Sequence, residues 1–127
     1  MQRRRSRRVP LSERCDALRR MDLAALADRL EAISVAYAQR EGIARDDDWF
    51  LLKLQEELGE LTQVQLGRSG RSKPRGYFDD ELDSKLAEEC VDVLGHVLLF
   101  ARRHGVDLDA ALDAKWLRWE RERPDAP

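Results

Sequence analysis

Apolar residues recur at spacings of three and four through most of this chain, and nowhere alternate every second position for long. Such spacing belongs to helices, whose side chains return to one face about every 3.6 residues. Proline, the strongest helix breaker, stands only at positions 10, 74, 124 and 127. The pattern predicts four helices. The first covers roughly 22–40, with Leu23, Leu26, Leu30, Ile33 and Tyr37 on one side and Gly42 as its stop. A second begins behind Asp46, Asp47 and Asp48, acidic residues that cap and complement a helix start. It carries Leu51, Leu54, Leu58 and Leu61 and ends near Gly67. The third spans about 80–104; from Cys90 to Ala101 it is apolar almost all round, as in a helix central to a bundle or buried between subunits. Val106 and Asp107 then form a staple and N-cap for a fourth, about 108–122. No internal repeat stands out.

The fold expected is all-α, a four-helix antiparallel bundle-like domain completed by homo-oligomerisation. Residues 21–123 form that domain, and residues 1–20 a basic, flexible segment ahead of it.

Charge sharpens this division. Of 127 residues, 38% are charged and 43% hydrophobic, with a formal net charge of −2. Five of the 23 basic residues are Arg3, Arg4, Arg5, Arg7 and Arg8; the other 18 face 25 acidic residues, so the body carries about −7. A body of that sign does not attract nucleic acid. Cys15 and Cys90 fit neither a disulfide framework nor a zinc pattern, and Cys90 reads as a small buried hydrophobe. With no apolar stretch long enough to span a membrane and no signal-like hydrophobic region, a cytoplasmic protein is expected.

The chemistry gathers in the second and third helices. Glu56, Glu57 and Glu60 lie on one, Glu88, Glu89 and Asp92 on the other. Residues three apart differ by about 60° in azimuth, so Glu57 with Glu60, and Glu89 with Asp92, each project as a two-pronged acidic group. Antiparallel packing brings the two pairs face to face. Ordinary surface ion pairs are one account of these acids, yet no Lys or Arg follows any of the five residues Glu56, Glu57, Glu60, Glu89 and Asp92 by four. Lys53 and Lys85 supply a basic partner each on the N-terminal side, the less favourable one. Metal binding is the other account: clustered carboxylates near a low-dielectric core require a cation, and all-oxygen ligands select Mg²⁺ first and Mn²⁺ second. The residues alone leave both open. Gly59 and Gly95, mid-helix beside the acids, suit a close approach of the helices or simple tolerance.

Glu56-Glu57-Leu58-Gly59-Glu60, then 28 residues, then Glu89-Cys90-Val91-Asp92 resembles the signature of the MazG-like nucleotide pyrophosphohydrolases, in the all-α NTP pyrophosphatase superfamily. Lys53-Leu54-Gln55 before the first acids, Val93-Leu94 after Asp92 and Gly105-Val106-Asp107-Leu108 extend the likeness over about 49–121. The resemblance implies a Mg²⁺-dependent hydrolase, with Mn²⁺ as substitute, that cleaves a nucleoside triphosphate to monophosphate and pyrophosphate and cleanses the nucleotide pool. It implies Glu57, Glu60, Glu89 and Asp92 as metal ligands and Glu56 as the residue that orients or deprotonates the attacking water. Lys115 and Arg118 are implied as phosphate contacts, with Lys53 a further candidate. The chain departs from the family in lacking an Asn after Lys115, where Trp119 lies in that region, and the Gly-Cys-Pro-Trp-Asp type of N-terminal block. Trp49 reads as a base-stacking or a core-anchoring residue, and Arg68, Arg71, Lys73 and Arg75 as a phosphate lid or a solvated loop.

Rival readings are a phosphoribosyl-ATP pyrophosphatase-like enzyme and a non-enzymatic helical module that binds nucleic acid through the Arg-rich start. A di-iron bundle fails, because the residues three before His96 and His104 are Val93 and Ala101 rather than Glu. The expected assembly is a homodimer or homotetramer, with no membrane partner.

Overall fold

Three aspartates decide where helices begin. Asp22, Asp46 and Asp107 sit in extended backbone, and each Oδ1 accepts the amide of the residue three on: Ala25 at 3.0 Å, Trp49 at 2.8 Å and Ala110 at 3.0 Å. Each bond satisfies one amide that a helix start otherwise leaves open. The computed structural model describes residues 22–73 and 79–123. Within them lie α1 (Leu23–Glu41), α2 (Asp47–Arg68), α3 (Asp79–Arg103), α4 (Leu108–Leu112), a π-helical turn (Asp113–Leu117) and α5 (Arg118–Glu122), with no strand. The fourth expected helix thus spans its whole predicted range, interrupted by the π turn. The Arg-rich start, Cys15 and Arg75 of the basic loop fall outside the described residues. No helix among the described residues is long and apolar enough to cross a membrane.

The ends follow the same local logic. Gly42 closes α1 at φ +67°, a left-handed conformation that glycine adopts without strain, and donates its amide back to Ala38. α2 runs one residue past Gly67.

Helices α2 and α3 pack along their lengths in antiparallel sense, tied at both ends. Arg68, ending α2, meets Asp83 near the start of α3 at 2.6 Å; Arg103, ending α3, meets Asp47 at the start of α2 at 2.8 Å. Helix α1 packs against α3, and Arg102 of α3 reaches Asp28 of α1 at 2.8 Å. The connection from α1 to α2 is held by Arg45, whose two Nη atoms donate to both carboxylate oxygens of Glu31 at 3.0 and 2.7 Å while its guanidinium lies over Phe50. The C-terminal segment turns back to touch α1 through α4.

The buried faces match the sequence expectation in part: Leu23, Leu26, Leu30, Leu54 and Leu61 are half-buried as expected, while other members of each stripe are not. On α1 the small residues Ala27 and Ala38 are buried, while Ile33 and Tyr37 face out. On α2 the buried positions are Phe50, Glu57 and Val64, a seven-residue spacing that leaves Leu51 and Leu58 exposed. On α3 Leu82 and Glu89 repeat that spacing, and Leu98, Leu99 and Ala101 meet the rest of the core. Cys90 is exposed, contrary to expectation, because Glu89 takes the inward position and its neighbour lies about 100° round the helix. The helix crossings do not demand glycine: a Cβ on Gly59 would meet open space, and one on Gly95 would touch Leu30 of α1 at an ordinary 3.8 Å.

Candidate metal centre

Glu57 and Glu89 occupy the middle of facing helix stripes, at positions where a leucine would serve packing better. Glu57 is 8% exposed and Glu89 only 1%. Their carboxylates and that of the exposed Glu60 bring one oxygen each within 4.8 Å of one another. Asp92 lies just outside this set of three, close enough that Glu57 and then Glu89 act on its charge. The structure therefore draws together four of the expected acids, three as a tight group and the fourth beside it.

Lysines one helical turn earlier hold the buried pair. Lys53 Nζ lies 3.0 Å from Glu57 and 3.2 Å from Glu56; Lys85 Nζ lies 2.9 Å from Glu89 and 3.3 Å from Glu88. This is the N-terminal pairing anticipated from the sequence. Glu56, expected to act on water, stands at the rim with its side chain 55% exposed. The correspondence between the helices goes further than the sequence reading recognised. Lys53-Leu54-Gln55-Glu56-Glu57-Leu58-Gly59-Glu60 and Lys85-Leu86-Ala87-Glu88-Glu89-Cys90-Val91-Asp92 are one pattern used twice, Lys-Leu-x-Glu-Glu-x-x-acid. On the two antiparallel helices the copies bring Glu57 and Glu89 together. The signal lies in the sequence, but only the packing gives it meaning.

His96 breaks that correspondence. It stands seven residues after Glu89, where the other copy has the buried Val64, and its Nε2 lies 3.7 Å from Glu57. Its Nδ1 is buried without a hydrogen-bond partner. Burial pulls the imidazole below its ordinary pKa, against the raising pull of Glu57, so His96 is neutral at pH 7. Trp49 packs edge-on against both Phe50 and His96, which is the core-anchoring role, here at the margin of the site.

The electrostatics show a cluster short of positive charge. Burial raises the pKa of Glu60, and the charges of Glu57 and Glu89 raise it further. Asp92 is raised by burial first and then by the same two glutamates. Burial works against the Lys53 ammonium, but the hydrogen bonds it donates to Glu57 and Glu56 outweigh it and leave its pKa raised. Two ammoniums face six carboxylates in the two copies of the pattern. Glu89 concentrates the deficit: its Oε1 meets Lys85, while its Oε2 is fully buried and accepts nothing. A buried carboxylate oxygen without a partner costs about 1–3 kcal/mol or more, which a bound cation removes. The donor set, oxygen throughout with neutral His96 behind it, suits a hard divalent cation.

Lys115 and Arg118 are not brought to the carboxylates within one chain. They lie in the π turn and at the start of α5, a segment that packs on α4 and through it on α1. Arg118 stacks on the neighbouring Trp119 ring, 4.7 Å from its centroid. In the basic loop, Arg68 is committed to Asp83 and Gln65 rather than poised as part of a lid. A cavity of about 500 Å³ between α1, the end of α3 and α4 lies away from the acids.

No family model matches the chain, and no match to it was found among the curated proteins or the solved structures.

Proposed function

We propose that this chain is a Mg²⁺-dependent nucleoside triphosphate pyrophosphohydrolase of the MazG-like, all-α NTP pyrophosphatase kind. It cleaves ribo- or deoxyribonucleoside triphosphates to the monophosphate and pyrophosphate, in the cytoplasm, as a cleanser of the nucleotide pool. The observation that carries this reading is the convergence of Glu57, Glu60 and Glu89, with one buried oxygen of Glu89 lacking any partner.

Glu57, Glu60, Glu89 and Asp92 hold the cation. Mg²⁺, or Mn²⁺ in its place, supplies the positive charge that makes a polyphosphate tolerable beside six carboxylates and polarises its phosphoryl oxygens. Glu56 at the rim orients or deprotonates the attacking water; it is solvent-accessible and next to the inner ligand Glu57. Lys53 meets the phosphates.

Homo-oligomerisation belongs to this proposal. Every residue from 109 to 123 is exposed, including Trp116 at 69% and Trp119 at 57%, and so are Leu51, Leu58, Val91 and Leu94 on α2 and α3. A second copy covers these surfaces, completes a four-helix antiparallel bundle as a homodimer or homotetramer, and carries Lys115 and Arg118 towards a neighbouring site.

Incubating the full chain with each nucleoside triphosphate and Mg²⁺, with EDTA and a Glu57→Gln, Glu60→Gln variant alongside, tests the activity. Metal-dependent release of monophosphate and pyrophosphate, lost in both controls, is the expected result. Release of orthophosphate alone, or no turnover of any triphosphate by folded protein, overturns the proposal. Sedimentation tests the assembly; a monodisperse monomer at micromolar concentration overturns that part.

A further inference from the structure

Each lysine of the repeated pattern is shared between two glutamates of different kind. Lys53 bridges the buried Glu57 and the exposed Glu56; Lys85 bridges the buried Glu89 and the exposed Glu88. In both copies the inner contact is the shorter, 3.0 against 3.2 Å and 2.9 against 3.3 Å. Because the helices are antiparallel, the two ammoniums flank the carboxylate group from opposite ends. They stand where the positive charge of a cation would be felt most, and an ammonium and a divalent ion repel each other.

We propose that Lys53 and Lys85 are exchangeable counter-cations: each holds an inner glutamate while the cluster lacks a divalent ion, and passes to its outer glutamate when one binds. The inference rests on the reading of the cluster as a divalent-cation site. The hand-over is short, since the outer carboxylates of Glu56 and Glu88 already lie 3.2 and 3.3 Å from the ammoniums. Their side chains are 55% and 61% exposed, against 10% for Glu57 and 2% for Glu89. Metal loading thus shifts two half-buried positive charges outward to the rim, where an anionic substrate arrives. Lys85 gains a role that the sequence reading did not give it, a contact to a polyphosphate equivalent to that of Lys53, and cation binding precedes and favours anion binding. Without the ion, the same lysines neutralise Glu57 and Glu89 and keep the acids from driving α2 and α3 apart.

The chain has four lysines, Lys53, Lys73, Lys85 and Lys115, which makes the hand-over directly measurable. Full-length protein is labelled with acetic anhydride with and without Mg²⁺, and each site is read by mass spectrometry. Mg²⁺ is expected to raise labelling at Lys53 and Lys85 about threefold or more relative to Lys73 and Lys115, as their half-buried ammoniums become more exposed. In parallel, Mn²⁺ binding to wild type, Lys85→Met and Lys85→Arg is followed by electron paramagnetic resonance of the free ion. Removing a competing charge a few ångströms from the ion should tighten Mn²⁺ binding about fivefold in Lys85→Met, while Lys85→Arg keeps the wild-type affinity. KM for a triphosphate should rise in Lys85→Met; a purely structural lysine would weaken metal and substrate together. If wild type binds no Mn²⁺ at millimolar concentration, the metal centre itself falls, and this inference with it. Should wild type bind Mn²⁺ while labelling at Lys53 and Lys85 stays flat, the hand-over alone is overturned, and that readout stands even if Lys85→Met fails to fold. Weaker Mn²⁺ binding by folded Lys85→Met overturns it equally.

Discussion

Glu89→Gln separates the stability of this fold from its chemistry. Glutamine keeps the shape of Glu89 and removes its charge. Two carboxylates 4.8 Å apart repel by about 3.5 kcal/mol at an effective dielectric constant of about 20, and by about 0.9 kcal/mol in bulk water. The first figure suits the buried neighbour Glu57; the second is nearer for the exposed Glu60, both within that distance of Glu89. Taken together and allowing for relaxation, the relief is about 2–4 kcal/mol. Against it stands the Lys85 contact at 2.9 Å, a charge-assisted hydrogen bond of about 1.5–3 kcal/mol. The ion's desolvation also disappears, so the balance favours glutamine by about 1–2 kcal/mol without metal. In EDTA at low ionic strength the variant should melt above wild type by roughly 5–10 °C. Millimolar Mg²⁺ should reverse the order, raising the wild-type melting temperature and leaving the variant almost unmoved. Thermal melting by circular dichroism in the four conditions is the assay. A variant less stable than wild type in EDTA, yet still stabilised by Mg²⁺, would refute both the charge deficit and the part Glu89 takes in holding a cation.

Three further outcomes follow from the geometry. Arg45→Ala removes a half-buried two-pronged contact to Glu31 and leaves that acid only the longer Arg102 contact at 3.9 Å, so urea unfolding should show a loss of about 2–3 kcal/mol. Asp46→Ala deletes the cap on the Trp49 amide and should cost about 1 kcal/mol by the same measure, with Asp46→Asn close to wild type. Glu60 and Asp92 hold protons more tightly in the fold than in the unfolded chain, so metal-free stability should fall as pH rises through and above the ordinary carboxylate range. Mg²⁺ should abolish that fall, because the ion takes the place of the protons. Asp47 and Asp113, lowered chiefly by their hydrogen bonds to Arg103 and Arg121, act in the opposite sense and below that range, where stability drops as pH falls. A metal-free stability that rises across the upper window in melting experiments would contradict the assignment.

What was legible in the sequence depended on how local its cause is. Asp46 and Asp107 announced their helices because a cap is a contact between residues three apart, and the structure forms both bonds. Gly42 announced a stop for the same reason. The faces were harder. Ile33, Tyr37, Leu51 and Leu58 satisfy helical periodicity as well as the residues that are buried, because the helices carry more apolar side chains than one chain hides. Periodicity cannot choose a phase when two overlapping stripes are present. On α2 the expected Leu54 and Leu61 do border the inward face, but Glu57 rather than Leu58 stands at its centre. The convergence of Glu57, Glu60 and Glu89 followed from antiparallel packing and their spacing, whereas Asp92 stands a step aside from the group of three. The repeated Lys-Leu-x-Glu-Glu pattern escaped notice because eight positions 32 apart form no domain-scale repeat. Lys115 and Arg118 lie on the C-terminal segment that packs on α4 and α1, away from the carboxylates, which no local rule foretells.

The placement of Glu57 and Glu89 is itself an argument for function. One heptad from Glu57 in either direction stand Phe50 and Val64, both buried, and one heptad before Glu89 stands Leu82, also buried. Apolar residues at these two positions would continue the stripes and remove a desolvation penalty of several kcal/mol per ion. Replacing buried ions by apolar residues often stabilises a protein by about 1–4 kcal/mol, so stability alone does not account for the glutamates. Nor is the strain left unopposed: the Arg68–Asp83 and Asp47–Arg103 pairs fasten α2 to α3 beyond both ends of the acidic group, and the two lysines neutralise it from within. The repulsion is confined to about two turns in the middle of a helix pair whose ends are held. An excess of negative charge fixed in this way suits a cation: the carboxylates are already gathered and partly desolvated, and on the proposed hand-over an ion would displace only two ammoniums that have other glutamates beside them.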